Sequence, residues 1–69
     1  MPTGTVKWFN STKGYGFIAP DDGGKDVFIH KSIVSRLGLA TLETGQRVSM
    51  SVHTANKGRE AVTLDLLRD

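Results

Sequence analysis

Side chains of two kinds alternate with a period of two along several stretches of this sequence, which is the spacing of β-strands whose side chains point to opposite faces. Aliphatic residues alternate with polar ones in residues 48–53 and 62–66, and aromatic residues alternate with glycine or aliphatic ones in residues 13–18 and 27–30. Residues 5–10 are rich in the β-branched and aromatic residues that favour strands. The pattern therefore predicts five strands and an all-β fold.

The second and third predicted strands form a hairpin, because the segment between them, residues 20–25 (PDDGGK), is dense in turn formers. Cross-strand neighbours in such an antiparallel pair share a face. One face of the hairpin then carries Tyr15, Phe17, Phe28 and His30, and the other carries Gly16, Ile18, Val27 and Ile29.

Both faces of this hairpin are apolar, so the two later strands decide which face is interior. In those strands aliphatic side chains alternate with polar ones, which indicates an aliphatic interior suited to a closed barrel. The predicted core is Val6, Ile18, Val27, Ile29, Val48, Met50, Val52, Val62, Leu64 and Leu66. The aromatic face is then left outside.

The first strand contains two adjacent rings, Trp8 and Phe9, and strict alternation cannot place both on the outer face. Either one ring is partly buried or the strand carries a β-bulge, and both hypotheses stay open. We expect Trp8 to be the exposed ring. Gly16, on the inward face, is expected to relieve crowding in a small, tightly curved barrel.

The period of two is lost in residues 31–46. We expect a short helical turn there, with Ser32 as its N-cap and Gly38 as its stop, whose apolar residues plug one end of the barrel. Residues 39–42 are expected to cover part of the rim. Residues 54–59 (TANKGR) form a polar, basic connection to the fifth strand, which is either a plain hairpin loop or a phosphate contact.

Length and composition limit the class of protein. The 69 residues fit one domain, residues 1–69, with a single small core. The sequence has no cysteine, which excludes disulfides and thiolate metal sites. No apolar run approaches the roughly 20 residues of a membrane span, and the N-terminus lacks the layout of a signal peptide. We expect a cytoplasmic protein with no membrane partner.

The net charge of +2 is weakly basic, and its distribution is more informative than its size. Residues 1–20 contain Lys7 and Lys13 and no acidic residue, and residues 4–30 hold every aromatic residue. Rings stack on unpaired bases and lysines neutralise phosphates, so this combination favours single-stranded nucleic acid. Two alternatives stay open: the lysines are solvated edge residues, or the exposed rings form a protein-interaction surface.

The sequence shows no catalytic or metal-binding constellation. Asp21, Asp22 and Asp26 surround two glycines, but their spacing is not that of a calcium-binding loop and favours a solvated turn. His30 and His53 have no partners at ligand spacing. The Gly-x-Gly at residues 14–16 lacks the rest of a phosphate loop. We predict no enzyme activity, no catalytic residue, no cofactor and no metal.

Three segments resemble those of bacterial cold shock proteins in order and spacing: residues 4–10 (GTVKWFN), 13–18 (KGYGFI) and 26–30 (DVFIH). The resemblance extends over essentially the whole chain. It implies a five-stranded antiparallel closed barrel of the oligonucleotide-binding (OB) type, with one short helical turn after the third strand. It also implies a monomer that binds single-stranded RNA and DNA, as an RNA chaperone or transcription antiterminator in cold or stress adaptation. The binding residues that it implies are Lys7, Trp8, Phe9, Lys13, Tyr15, Phe17, Asp26, Phe28 and His30.

The sequence departs from the commonest family pattern at two positions. Lys31 stands where many members carry another Phe, and Leu39 lies where several have an aromatic residue. We expect fewer stacked bases and a larger ionic share of affinity, with Lys31 contacting phosphate. An RNA-recognition-motif domain shares the Lys-Gly-Tyr-Gly-Phe segment but needs two packed helices, so it stays an alternative that a helix-rich structure would favour.

Overall fold

The described part of the chain, residues 2–55 and 58–67 of a computed structural model, contains five strands and one short helix. The elements are β1 (Thr3–Asn10), β2 (Tyr15–Pro20), β3 (Val27–His30), α1 (Lys31–Ser35), β4 (Arg47–Ala55) and β5 (Gly58–Leu66). Within these ranges no helix has the length and apolar character needed to cross a membrane.

The five strands close into a barrel in the order β1-β2-β3-β5-β4. Four of the five pairings between neighbouring strands are antiparallel. The fifth, between β3 and β5, is a short parallel pairing of Val27 with Arg59 and of Phe28 with Glu60, and it closes the barrel. This confirms the predicted all-β, five-stranded barrel of OB type with a short helix after its third strand. An RNA-recognition-motif domain is built on a four-stranded sheet, so that alternative is wrong.

The interior of the barrel is aliphatic, as the alternation predicts. The buried hydrophobic side chains of the described ranges include no aromatic ring, and they are Val6, Ile18, Val27, Ile29, Val34, Leu42, Val48, Met50, Ala61 and Leu64. Burying a large aliphatic side chain stabilises the fold by about 1.5–3 kcal/mol. None of the rings is therefore fully buried in this core.

The prediction that Val62 of β5 lies in the core is wrong, because this side chain is 41% exposed. Ser51 pairs with Thr63 while Val52 pairs with Ala61, so Val62 is the extra residue of a β-bulge. The bulge reverses which alternate residues of β5 face inward. Ala61 is buried in the core instead, and Val52 is only half-buried against it.

The prediction for Leu66 is also wrong, since its side chain is 38% exposed. Leu66 ends β5, and the pairing of β3 with β5 in the described residues involves only Arg59 and Glu60. Among the strand pairings of the described residues, Leu66 pairs with Val48 of β4 alone. The side chain of Leu66, at the end of the last strand, is therefore left uncovered.

The first strand shows both features that the sequence left open. Its register with β2 shifts between Val6 and Trp8, which makes Lys7 the extra residue of a β-bulge. Beyond the bulge Trp8 is 40% exposed, whereas Phe9 is half-buried and packs against the core. The bulge and the partial burial together accommodate the two adjacent rings.

The helix α1 is capped by a different residue from the one predicted. His30 is the N-cap, and its Nδ1 accepts a hydrogen bond from the Ser32 amide at 3.1 Å. Ser32 lies inside the helix, so the capping role predicted for it is wrong. Val34 is buried in the core, and Ile33 and Leu37 pack partly against it, as expected for a turn that plugs the barrel.

The segment after α1 leads back into the core. The helix ends at Ser35, before the predicted stop at Gly38, whose amide donates to the Ser35 carbonyl at 2.9 Å. Leu42 is buried in the core and Leu39 packs partly against it. Two residues of the segment predicted to cover part of the rim, Leu39 and Leu42, therefore pack on the core.

The connection between β4 and β5 is shorter than predicted. Thr54 pairs with Arg59 and Ala55 pairs with Gly58, so these residues belong to the two strands. The prediction of a loop over residues 54–59 is wrong for these four residues, and its middle, residues 56–57, lies outside the described residues.

The turn between β2 and β3 is tied to the rest of the barrel by two ion pairs. Asp21 accepts hydrogen bonds from both terminal nitrogens of Arg47 at 2.7 Å, and from the Thr3 hydroxyl. The bonds from Arg47 and then from Thr3 lower the pKa of Asp21 to about 2. Asp22 pairs with Arg59 at 3.3 Å. The turn is exposed, as predicted, and is also anchored to β4 and β5.

Candidate nucleic-acid interface

Four aromatic rings contact one another on the outer surface of the barrel, and we call them the ring surface: Trp8, Tyr15, Phe17 and Phe28. The centroid of Phe17 lies 5.3 Å from that of Trp8 and 5.8 Å from that of Phe28, in edge-to-face contacts. Tyr15 stacks on Phe28 at 5.7 Å. Trp8 is 40% exposed and the other three rings are half-buried. The outward orientation of the rings is as predicted.

The register of the barrel explains why these rings meet. Trp8 pairs with Phe17, and Phe17 with Phe28. On the next strands, Glu60 of β5 pairs with Phe28, and His53 of β4 pairs with Glu60. Residues that are directly opposite on neighbouring strands share a face of the sheet. These five side chains therefore form one row across all five strands, which we call the cross-barrel row.

Phe9 is a predicted binding residue that the structure separates from the ring surface. It pairs with Gly16, whose neighbours in β2 are the outward Tyr15 and Phe17, so Phe9 lies on the inward side. Its ring packs partly against the core. The ring contacts of the described residues do not include it.

His30 lies exposed at the border of the ring surface, where it pairs with Tyr15. Its Nδ1 accepts from the Ser32 amide and lies 3.0 Å from the Ser32 hydroxyl. In a neutral imidazole, an accepting Nδ1 places the ring proton on Nε2. The N-cap contact thus fixes the ring and makes Nε2 its donor.

One end of the ring surface carries the ion pair of Lys7 with Asp26. Lys7 lies in the bulge of β1, Asp26 precedes β3, and the Nζ to Oδ2 distance is 2.9 Å with side chains 51% and 39% exposed. An exposed pair of this kind contributes only about 0–1 kcal/mol. Lys7 can therefore exchange the carboxylate for a phosphate at little cost.

Two further lysines lie at the other end, next to Tyr15. The amide of Lys31 donates to the Gly14 carbonyl at 2.9 Å, and the aliphatic stem of Lys31 lies over Gly14. Lys13 precedes Gly14 in the turn between β1 and β2, where its amide donates to the Asn10 side chain at 2.9 Å. Both lysines are exposed. The ring surface is thus flanked by cations at both ends.

The described residues offer stacking surfaces and charges rather than a set of metal ligands. Residues 2–55 and 58–67 contain no group of three or more histidines or carboxylates arranged to hold a metal ion. Flat rings flanked by ammonium groups can contact a base and its phosphate at the same time. The arrangement is therefore suited to binding an unpaired strand.

A cleft of about 360 Å³ adjoins the ring surface on the side of β5. Phe17 and Phe28 form its aromatic wall, and the other lining residues are Lys25, Asp26, Ala55, Gly58, Arg59 and Glu60. Sequence reasoning missed the contribution of β5, because Glu60 reaches Phe28 only through the parallel closure of the barrel. The local signal in the sequence was the charged pair Arg59-Glu60 near the start of β5. Such a pair does not indicate which strand lies beside it.

Comparison with known proteins gives consistent matches along the chain. Residues 2–67 match the family described as 'Cold-shock' DNA-binding domain. The chain is 58% identical over 66 residues to the cold shock-like protein CspA of Vibrio cholerae, covering 94% of this chain and 93% of that protein. It is 60% identical over 52 residues to the cold shock protein CspA of Rhizobium meliloti, with 75% of each covered. It is 51% identical over 61 residues to the cold shock-like protein CspD of Escherichia coli K12, with 88% of this chain and 82% of that protein covered.

Proposed function

This chain belongs to the cold-shock DNA-binding domain family, whose members bind nucleic acid and are not enzymes, and we propose that its ring surface binds single-stranded RNA and DNA. The observation that carries the proposal is the exposure of Trp8 beside three half-buried rings. A small domain that keeps rings at its surface gives up part of the roughly 1.5–3 kcal/mol that the full burial of each ring would contribute. A ligand with flat faces compensates for that loss.

Stacking contacts and ionic contacts both contribute to the affinity for the strand. Every base has a π face, so each ring can stack on a base with little regard to sequence, at about 1–3 kcal/mol per base. The lysines at the two ends of the ring surface track the backbone. Each neutralised phosphate makes log affinity fall with log salt by about 0.7 on a single strand.

We further propose that the protein acts as an RNA chaperone or transcription antiterminator in cold or stress adaptation. A protein that binds only the unpaired state of an RNA shifts the folding equilibrium away from hairpins. This needs no ATP, since the differential affinity for the two states supplies the free energy.

The proposed binding residues are those of the ring surface, the flanking charges and two neighbours. Lys7, Lys13 and Lys31 contact phosphates. His30 donates a hydrogen bond from Nε2 to the bound strand. Asp26 pairs with Lys7 in the unbound protein. Phe9 contributes indirectly, because its ring packs against the core and supports the bulged strand that carries Trp8. The full proposed set is Lys7, Trp8, Phe9, Lys13, Tyr15, Phe17, Asp26, Phe28, His30 and Lys31.

The remaining proposals concern the organisation of the protein. Residues 1–69 are proposed to form a single cold shock domain that acts as a monomer in the cytoplasm. The family match over residues 2–67 and the single closed barrel of the described residues support the one-domain organisation.

The fluorescence of Trp8, the single tryptophan of the chain, tests the proposed function directly. We expect oligo-dT and oligo-U to quench it, because a base stacks on the indole, and a duplex of matched length to leave it unchanged. The titrations are run at two salt concentrations. Affinity for the single strands should fall with salt while the extent of quenching at saturation stays the same.

An equal response to duplex and single strands would contradict stacking on unpaired bases. No response to any oligonucleotide, together with a protein partner that stays bound at high salt, would assign the ring surface to protein interaction instead.

Lys31→Phe tests the expected ionic role of this position. The salt slope of oligo-dT binding is expected to fall by about 0.7, the value of one phosphate contact on a single strand. The new ring adds stacking, so affinity at low salt should change less than the slope does. The measurement is a salt titration of the dissociation constant.

Lys31→Arg is the matched control, because it keeps the positive charge and an aliphatic stem that can lie over Gly14. This variant should retain the slope of the parent protein. An unchanged slope in Lys31→Phe would remove Lys31 from the binding surface.

A further inference from the structure

The ring surface does not end at its last ring, because the cross-barrel row continues from Phe28 to Glu60. The cleft of about 360 Å³ lies at this junction, with Phe17 and Phe28 in its wall and Glu60 in its lining. Its volume is at the lower end of the roughly 300–1,000 Å³ that small-molecule sites occupy. A base at the edge of the ring surface can enter it without leaving the rings.

The two carboxylates of the cleft have different surroundings. Asp26 is engaged by Lys7 at 2.9 Å. Glu60 is half-buried and makes no ion pair or side-chain hydrogen bond with another residue of the ranges 2–55 and 58–67. A carboxylate beside a surface for a polyanion repels phosphate. It is suited instead to accept hydrogen bonds from the edge of a base.

The bases differ in what they offer such a carboxylate. Guanine presents two neighbouring donors, N1–H and the N2 amino group, which match the two oxygens of a carboxylate. Cytosine and adenine present one amino group beside an acceptor nitrogen, and uracil and thymine present one N–H between two carbonyl oxygens that a carboxylate repels. Guanine also carries O6, an acceptor for the ammonium group of Lys25, which lines the same cleft.

We propose that the cleft between Phe28 and β5 is a guanine-selective subsite, in which the Glu60 carboxylate accepts hydrogen bonds from N1–H and N2–H of one base of the bound strand. The subsite rests on the proposed function, because the strand is held by the ring surface. It adds selectivity for one base to an interface whose stacking contacts tolerate every base.

The test compares oligo-dT with oligonucleotides of the same length in which one thymine, at each position in turn, is replaced by guanine. Affinities are measured by competition against a labelled oligo-dT, so the readout does not depend on the base. At one position guanine is expected to bind about five- to tenfold tighter, the lower range for a bidentate contact to a base edge. Hypoxanthine at that position, which lacks the N2 amino group, should lose most of the gain.

Glu60→Gln tests the residue itself. It keeps the size of the side chain but replaces one acceptor oxygen by a donor, so the guanine preference is expected to fall below about twofold. Its affinity for oligo-dT should stay the same or rise slightly. Glu43→Gln makes the same change of charge in the exposed turn before β4 and should retain the full preference.

The results separate the subsite from the function on which it rests. Oligo-dT binding with no gain from guanine at any position, or with a gain that Glu60→Gln retains, overturns the subsite and leaves the proposed function standing. If the parent protein does not bind oligo-dT, both the subsite and the proposed function are overturned. The binding of oligo-dT by Glu60→Gln itself shows that this variant is folded.

Discussion

Phe17→Ala is expected to weaken oligo-dT binding by about ten- to a hundredfold, the largest loss for any single ring, within the roughly 1–3 kcal/mol of one stacked base. Phe17 is at the centre of the ring surface. Its centroid lies 5.3 Å from that of Trp8, 6.4 Å from that of Tyr15 and 5.8 Å from that of Phe28. Removing it deletes one stacking face and also the edge contacts that hold the other three rings.

The measurement is the dissociation constant from fluorescence anisotropy of labelled oligo-dT, taken well below the melting temperature of each variant. Val62→Ala is the matched control, because Val62 is an apolar side chain that is 41% exposed and lies outside the cross-barrel row. It should bind like the parent protein. Phe17→Ala binding with parental affinity while folded would show that the strand does not lie on these rings.

Gly16→Ala is expected to lower the melting temperature by about 12–24 °C, which corresponds to about 3 kcal/mol in a domain of this size. A Cβ at Gly16 would clash with the carbonyl oxygen of Trp8, and would lie 2.7 Å from the Cα of Phe9 and 2.8 Å from its Cδ1. Two of these atoms are backbone. The clash therefore cannot be relieved by rotating a side chain, and β1 and β2 must separate.

Gly23→Ala is the control for the general cost of replacing a glycine. A Cβ at Gly23 would meet nothing within 4 Å, although the φ of +78° disfavours alanine. Its expected cost is about 1–2 kcal/mol, from the left-handed backbone alone. Thermal unfolding followed by circular dichroism compares the two variants. Equal melting temperatures would show that the close approach of β1 to Gly16 is not what makes glycine necessary there.

The two predictions concern the two faces of the same strand. Phe17 lies outward in the ring surface, and Gly16, its neighbour in β2, lies inward against β1. The bulge that brings Trp8 outward also places the Phe9 ring against Gly16, so the binding surface depends on a residue without a side chain. Gly16→Ala should accordingly weaken binding as well as stability, since Trp8 and Phe17 are held by the strands that it separates.

Placing the rings outside also limits the stability of the barrel. The largest fully buried side chains are Ile18, Ile29 and Met50. A domain of this size buries only about 60% of the surface of its unfolded chain. Contacts outside the core therefore hold together elements that a larger core would hold by packing. One of them is the Asp21–Arg47 ion pair, which anchors the β2–β3 turn.

The sequence by itself determined which residues of β2 and β3 face outward. Alternation is a local property of an extended backbone, and the turn-forming residues between the two strands indicate that they pair as a hairpin. Tyr15, Phe17 and Phe28 could therefore be placed on one face before any partner strand was known. The same alternation predicted the aliphatic interior around Ile18 and Val48.

Only the tertiary structure decided the features that depend on pairing between distant strands. Val62 was predicted inside because alternation contains no information about a bulge, and the bulge arises where β4 and β5 must curve together to close the barrel. The His30 cap depends on how β3 enters α1. Glu60 lies beside Phe28 because β3 and β5 meet in parallel at the closure, and the register of that contact is set by the packing of the whole barrel rather than by either strand.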